Sequence, residues 1–129
     1  MSEPTSEVPG GTFQRALGIQ KEASSKGLDW ADAYGVLTKI REELDEVEAT
    51  IRSGAKNSCG EETGDLLFSV VNLARMLSID PEDALKGAVS KFERRFRGVL
   101  ASVRESGQKV EDMSIDELDA LWEATKRSV

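Results

Sequence analysis

The apolar residues of this chain recur at helical spacing along most of its length, and no strand-like alternation persists. The three prolines, which would interrupt helices, stand at positions 4, 9 and 81. The pattern therefore predicts an all-α protein, a helical bundle of about five helices with a four-helix core. The predicted helices cover residues 12–26, 30–53, 58–78 and 81–105, and a fifth begins near 115.

The signals at the helix ends are local and specific. Asp80 and Pro81 give an N-cap followed by proline at the first helical position. Ser114 and Glu117 form a capping box at the start of the fifth helix. We expect residues 12–129 to form a single domain, because a chain of this size rarely holds more than one. Residues 1–11 are predicted to be a disordered tail, since they are rich in Pro, Gly and Glu.

The amino-acid composition limits the catalytic mechanisms and the partners that this chain can have. The chain has no histidine, which excludes Ser-His-Asp and Cys-His catalysis and metal sites built on imidazole. The lone Cys59 and the lack of a signal peptide or membrane span predict a cytoplasmic protein. A net charge of −7 argues against nucleic-acid binding, which needs a basic face. Catalysis would have to use carboxylates, amines, hydroxyls or a hard metal ion.

The second helix carries five acids within residues 42–48. Asp45 and Glu48 have arginines one turn away, whereas Glu43 and Glu46 flank the stripe expected to face the core. Two carboxylates one turn apart repel unless something positive joins them. A solvated charged face is the alternative interpretation. The expected core stripe consists of Leu37, Ile40, Leu44, Val47 and Ile51.

The third helix combines a wide apolar surface with one polar line. Its aliphatic residues cover more than half of the circumference, so we expect it to be largely buried. The remaining strip holds Glu62, Asp65, Ser69 and Asn72. The two acids alone could merely complement the helix dipole, but that leaves the two further polar residues unexplained. Acid pairs on consecutive helices can share a cation, and oxygen ligands favour Mg²⁺, or Mn²⁺ as a substitute.

Basic and aromatic residues stand on the last two helices. Lys91 and Arg95 lie one turn apart beside an apolar stripe, where they could pair with surface acids or bind phosphate oxygens. Trp122 and Lys126 are likewise one turn apart. A tryptophan in this position could belong to the core or provide a platform for a ligand.

Several segments together resemble a known family. Residues 42–46 and 62–65 match the EExxE…ExxD motif of the all-α nucleoside triphosphate pyrophosphohydrolases. Other segments are similar to the MazG branch of that superfamily, and the resemblance covers about residues 14–127. These segments are residues 27–30, 64–68, 71–75, 91–96 and 121–126.

The resemblance implies an activity, which is hydrolysis of a nucleoside triphosphate between its α and β phosphates with Mg²⁺. It also implies a homodimer or higher homo-oligomer. The residues that resemble the metal ligands and catalytic acids are Glu43, Glu46, Glu62 and Asp65. The residues that resemble substrate-binding positions are Lys91, Arg95, Asn72, Trp122, Lys126 and Trp30. Glu42 is the first acid of the motif, but the helical wheel points it toward solvent.

Two other functions stay open at this stage. One is a relative specialised for a single deoxynucleotide, such as dUTP or dCTP. The other is a helical interaction module whose acids bind a basic partner. An interaction module would leave the acids of the third helix exposed and would not need metal.

Overall fold

The computed structural model describes residues 11–128, and these residues form five α-helices and one short 3₁₀ turn. No strand occurs among them, so the all-α prediction is confirmed. The elements are α1 (Gly11–Ser25), α2 (Ala33–Ser53), α3 (Lys56–Met76), α4 (Pro81–Glu105), the 3₁₀ turn (Val110–Asp112) and α5 (Ile115–Ser128).

The chain divides into two compact units, the first ending at Ala84 and the second beginning at Leu85. In the first unit, α2 and α3 pack against each other along their lengths, and α1 packs against α3. The two acidic motifs therefore lie on helices in direct contact. In the second unit, Val99 and Val103 of α4 are buried, and the rings of Phe92 and Trp122 connect α4 to α5.

Most helix ends follow their sequence signals. The Asp80 carboxylate accepts hydrogen bonds from the backbone N–H groups of Glu82 and Asp83, which fixes the start of α4. The Ser114 hydroxyl accepts from the N–H of Glu117, and the Glu117 carboxylate accepts in return from the N–H of Ser114.

The predicted start of α2 was wrong. The helix begins at Ala33, and its N-cap is Asp32, whose carboxylate accepts a hydrogen bond from the N–H of Gly35. Asp29 forms an ion pair with Arg75 of α3 at 2.6 Å instead. The Asp29 carboxylate thus pairs with a residue far away in sequence, and Asp32 caps the helix.

The burial of α2 and α3 differs from the expected stripes. The most buried side chains of these helices are Val36 and Val71 together with the polar residues Glu43, Ser69 and Asn72. Several apolar residues expected in the core are about half exposed or more. These are Leu44, Ile51, Leu67, Val70 and Leu77.

Part of the predicted tail falls outside the described residues. Residues 1–10 are not described, and Gly11 is already the first residue of α1. Among residues 11–128, no helix combines the length and the apolar character needed to cross a membrane. The single domain expected over 12–129 stays a prediction.

Candidate functional site

Three carboxylates converge where α2 packs on α3. Glu43 comes from α2, whereas Glu62 and Asp65 lie one turn apart on α3. One oxygen from each carboxylate lies within 4.8 Å of the other two. The spacing of the two acids on α3 places them on the same side of that helix, facing the glutamate of its neighbour.

The cluster contains buried oxygen atoms with unsatisfied hydrogen-bonding capacity. Glu43 is only 5% exposed, and its Oε1 pairs with the Lys39 ammonium at 2.9 Å. Its Oε2 and the Oε2 of Glu62 are shielded from water and have no hydrogen-bond partner among the described residues. Buried carboxylate oxygens without partners are costly, and they belong to carboxylates that converge, so the cluster indicates a place for a positive charge.

The electrostatics of the cluster agree with this interpretation. A hydrogen bond with Glu46, burial, and repulsion from Glu46, Asp65 and Glu43 raise the pKa of Glu62 to about 7. The hydrogen bond to Glu43 raises the pKa of Lys39. Without a cation, Glu62 retains a proton at and below neutral pH, which reduces the negative charge of the cluster.

The fourth predicted ligand, Glu46, lies at the edge of this group. Its carboxylate is close enough to share a hydrogen bond with Glu62 but does not belong to the three converging oxygens. The residue is exposed, unlike Glu43 one turn before it. Glu42 is exposed as well, as the helical wheel indicated.

The donor set fits a divalent cation. All candidate ligand atoms are carboxylate oxygens, which suit hard cations, and Glu43 and Glu62 each have one buried oxygen without a partner among the described residues. The structure thus contains an acidic cluster that could hold a metal ion.

The polar line on α3 continues inward from the acids, as its spacing predicted. Ser69 and Asn72 are both buried, with Asn72 only 3% exposed. The Asn72 Oδ1 accepts a hydrogen bond from Arg75 Nε at 2.8 Å. Because Oδ1 accepts this bond, the Asn72 amide nitrogen, Nδ2, points away from Arg75.

Arg75 also connects α3 to the segment between α1 and α2. Its Nη2 donates to the Asp29 carboxylate, which further accepts a hydrogen bond from the Ser24 hydroxyl. The hydrogen bonds from Arg75 and Ser24 lower the pKa of Asp29 to about 2. The segment that carries Trp30 is thereby anchored to the helix that carries Asn72.

A cavity of about 370 Å³ opens at this end of the polar line. Trp30 forms one wall, and its ring packs so closely against Gly35 that a β-carbon there would lie 3.0 Å from the ring. Sequence reasoning included Trp30 and Asn72 but missed Gln20 and Arg75. A polar residue within the apolar face of α1 was the available signal for Gln20. The lining includes Ile19, Gln20, Leu28, Trp30, Asn72 and Arg75.

The remaining predicted residues lie in the second unit. Lys91 is exposed, and Arg95 is partly buried with an Nε that has no hydrogen-bond partner among the described residues. Trp122 contacts Phe92 with ring centroids 4.9 Å apart, so it contributes to packing between α4 and α5. Lys126 pairs with Glu123 at 3.4 Å on the surface of α5.

Comparison with known proteins establishes the family. The profile of the MazG nucleotide pyrophosphohydrolase domain matches residues 34–100, which is more than half of the chain. The chain belongs to the MazG family. The MazG match contains all four predicted acidic ligands together with Asn72, Lys91 and Arg95, whereas Trp30, Trp122 and Lys126 lie outside it.

Two curated MazG relatives are similar over most of the chain. The nucleoside triphosphate pyrophosphohydrolase/pyrophosphatase MazG of Thermotoga maritima is 44% identical over 108 residues, covering 84% of this chain and 41% of that protein. The nucleoside triphosphate pyrophosphohydrolase of Escherichia coli K12 is 40% identical over 117 residues, covering 89% and 44%. The chain therefore spans about two-fifths of the length of these relatives.

Proposed function

We propose that this chain is a Mg²⁺-dependent nucleoside triphosphate pyrophosphohydrolase, which converts its substrate to the monophosphate and pyrophosphate. Mn²⁺ is the expected substitute for Mg²⁺, and the cytoplasm is the proposed compartment. The observation that carries the proposal is the convergence of Glu43, Glu62 and Asp65, with two unpartnered buried oxygens, in a member of the MazG family. Both curated relatives named above bear names that state this activity.

Glu43, Glu62 and Asp65 would hold the cation, with Glu46 beside them. A bound Mg²⁺ neutralises phosphate oxygens and makes the phosphorus more electrophilic. The carboxylate best suited to accept the proton of the attacking water is Glu46. Glu43 has one oxygen committed to Lys39, whereas Glu46 is exposed and outside the converging group.

Lys91 and Arg95 are the proposed ligands of the phosphate chain. They lie one turn apart on α4, and the buried Arg95 Nε lacks a partner among the described residues. An anion between them would relieve their mutual repulsion and complete the hydrogen bonding of the guanidinium. Trp122 and Lys126 are proposed to support substrate binding from α5.

The alternative of an acidic interaction module is disfavoured by burial. That module would leave the acids of α3 exposed. Asp65 is exposed, but Glu62 is half-buried with an unpartnered oxygen, and Glu43 on the facing helix is 5% exposed. Specialisation for dUTP or dCTP is a narrower form of the same chemistry, and a substrate panel addresses it.

We further propose that the protein forms a homodimer or a higher homo-oligomer. Apolar side chains on α2 and α3, including Leu44 at 54% and Ile51 at 67% exposed, have no cover within the described chain. Several exposed large apolar side chains on two neighbouring helices are typical of a protein–protein interface. A second copy of the chain is the proposed occupant.

The activity is tested by incubating the protein with ribo- and deoxyribonucleoside triphosphates, with Mg²⁺ or with a chelator, and separating the nucleotides by chromatography. We expect monophosphate to form in Mg²⁺ without accumulation of diphosphate. Diphosphate as the main product, or equal turnover in chelator, would contradict the proposal.

A further inference from the structure

Arg75 of α3 is a largely buried cation that the proposed mechanism does not use. Its side chain is only 12% exposed, and different parts of its guanidinium contact two partners. Nε donates a hydrogen bond of 2.8 Å to Asn72 Oδ1, and Nη2 donates one of 2.6 Å to Asp29 Oδ1. The guanidinium is therefore held at two points and has a fixed position beside Asn72.

The contact with Arg75 determines how the Asn72 amide is turned. A guanidinium has only donors, so the Asn72 atom that it contacts has to be the oxygen. Half a turn of the amide would place its NH₂ group against the Nε–H of Arg75, donor against donor. The terminal torsion of an asparagine side chain is otherwise broad and roughly two-fold. Arg75 thus selects one of the two orientations.

This orientation leaves the amide nitrogen of Asn72 with hydrogen atoms to donate. Asn72 is 3% exposed, yet its Nδ2 has no hydrogen-bond partner among the described residues and is not shielded from water. Because Asn72 lines the cavity of about 370 Å³, the cavity is the space that Nδ2 reaches. An acceptor that enters the cavity would complete the hydrogen bonding of this buried side chain.

We propose that Arg75 is a positioning residue, which holds the Asn72 amide ready to donate a hydrogen bond to an acceptor atom of the nucleotide. Arg75 acts through Asn72 and does not contact the nucleotide itself. Because the amide is oriented before the nucleotide arrives, binding does not have to order it. The inference rests on the proposed function, since Asn72 resembles a substrate-binding position of that activity.

The first test measures nucleotide binding by calorimetry. The probes are the α,β-methylene analogues of ATP, GTP, CTP and UTP, and the tightest of the four is used for all variants. Arg75→Met keeps an unbranched side chain and removes both hydrogen bonds, so the dissociation constant should rise roughly tenfold. Arg52→Met is the matched control, because Arg52 forms an exposed ion pair with Glu48 on α2, and it should bind normally. A folded Arg75→Met protein with normal binding would overturn the inference.

A double-mutant cycle with Asn72 separates positioning from a structural role. Asn72→Ala should also raise the dissociation constant roughly tenfold, because the donor is lost. In that background Arg75→Met should cause no further loss, since the amide that Arg75 positions is absent. A full additional loss, as expected from direct contact with the nucleotide or from general loosening of the fold, would overturn the inference.

Substitution of Asp29 tests the other partner of Arg75. Asp29→Ala removes the ion pair and leaves the bond from Arg75 Nε to Asn72 in place. The dissociation constant should therefore rise much less than in Arg75→Met. Equal losses in the two variants would overturn the inference, because they would assign the effect to the ion pair.

Arg75→Lys keeps the inference testable if Arg75→Met fails to fold. It retains a positive charge near Asp29, but one ammonium cannot reproduce the fixed fork of donors that contacts both partners. Its affinity should lie between those of the unmodified protein and Asn72→Ala. An affinity equal to that of the unmodified protein would overturn the inference.

The analogues cannot be cleaved at the bond that the proposed activity breaks, so these results do not depend on turnover. If the cycle is non-additive but no triphosphate is hydrolysed, the positioning inference holds and the proposed function fails. If triphosphates are hydrolysed but the losses add, the proposed function holds and the inference fails. Absence of binding by all four analogues would also overturn the inference.

Discussion

Glu43 shows how one residue can combine an acidic side chain with a buried position. The helical wheel placed it at the edge of the apolar stripe, and the structure finds it 5% exposed with its charge shared by Lys39. The sequence could indicate this position because both residues lie on one helix. The unpartnered Oε2 depends on how α3 packs, so it was visible only in the structure.

The proposed phosphate ligand Arg95 gives the first prediction. Arg95→Ala should reduce kcat/KM by an amount equivalent to about 2–4 kcal/mol of transition-state stabilisation, because a charge-assisted bond to phosphate would be lost. Arg95→Lys should recover only part of the activity, since an ammonium cannot reproduce the planar donor set. Steady-state kinetics with one triphosphate measure both effects, with thermal melts to monitor folding.

A matched control for that substitution lies two residues further along α4. Arg97 forms an exposed pair with Glu93 at 3.6 Å, so Arg97→Ala should change kcat/KM little. Equal losses in Arg95→Ala and Arg97→Ala would mean that charge in general, rather than a specific contact, supports activity. A folded Arg95→Ala protein with normal kinetics would contradict the proposal that Arg95 binds the phosphate chain.

The raised pKa of Glu62 gives the second prediction. Its value of about 7 means that Glu62 holds a proton below neutral pH in the metal-free protein, and a cation must displace that proton. Mg²⁺ affinity should therefore rise as pH increases toward 7 and then level off. At pH 6 binding should release close to one proton, and at pH 8 far less.

Calorimetry in buffers of different ionisation enthalpy measures the released protons. Glu61→Gln is the control, because it removes an exposed acid next to Glu62 that lies outside the converging carboxylates, and it should retain the proton release. Binding at pH 6 without proton release in the unmodified protein would contradict the proposed role of Glu62.

At the scale of elements, α3 has features that the sequence predicts and others that depend on how the helices pack. Its existence and its polar line were both predicted, and Ser69 and Asn72 are indeed buried. Its apolar residues Leu67 and Val70 are nonetheless half exposed. Periodicity shows which residues share a face of a helix, but the neighbouring elements determine which face is covered.

The cavity could not be predicted from the sequence for a similar reason. Its lining comes from three separate parts of the chain. Gln20 lies on α1, Trp30 lies in the segment between α1 and α2, and Arg75 lies on α3. Arg75 and Asp29 are 46 residues apart in sequence, and no local sequence pattern predicts a hydrogen bond between them. The sequence instead predicted that the second helix starts directly after Asp29.

The capping box of α5 gives a third prediction, one that concerns stability. Ser114→Ala removes the acceptor for the N–H of Glu117 and should lower the free energy of unfolding by about 1 kcal/mol. Urea denaturation measures the change. Ser102→Ala, at an exposed position within α4, should have little effect or stabilise slightly. Equal effects of the two substitutions would mean that the cap does not contribute.

At the scale of the whole molecule, the exposed apolar residues of α2 and α3 predict self-association. Light scattering should give at least twice the chain mass of 14.1 kDa. Ile51→Lys should weaken the assembly, because Ile51 is 67% exposed and a charge would be buried at the interface. Gly18→Ala, with open space around the added β-carbon, is the control. A monomer with full activity would contradict the proposed assembly.

The identity of the phosphorus-containing products tests the central proposal most directly. Phosphorus NMR of the reaction with Mg²⁺ should show one pyrophosphate for each monophosphate and no orthophosphate. Asp65→Asn and Glu43→Gln should each nearly abolish both signals while the proteins remain folded, because an amide cannot supply the charge that holds the cation. Orthophosphate as the product of the unmodified protein, or undiminished turnover in both variants, would contradict the account.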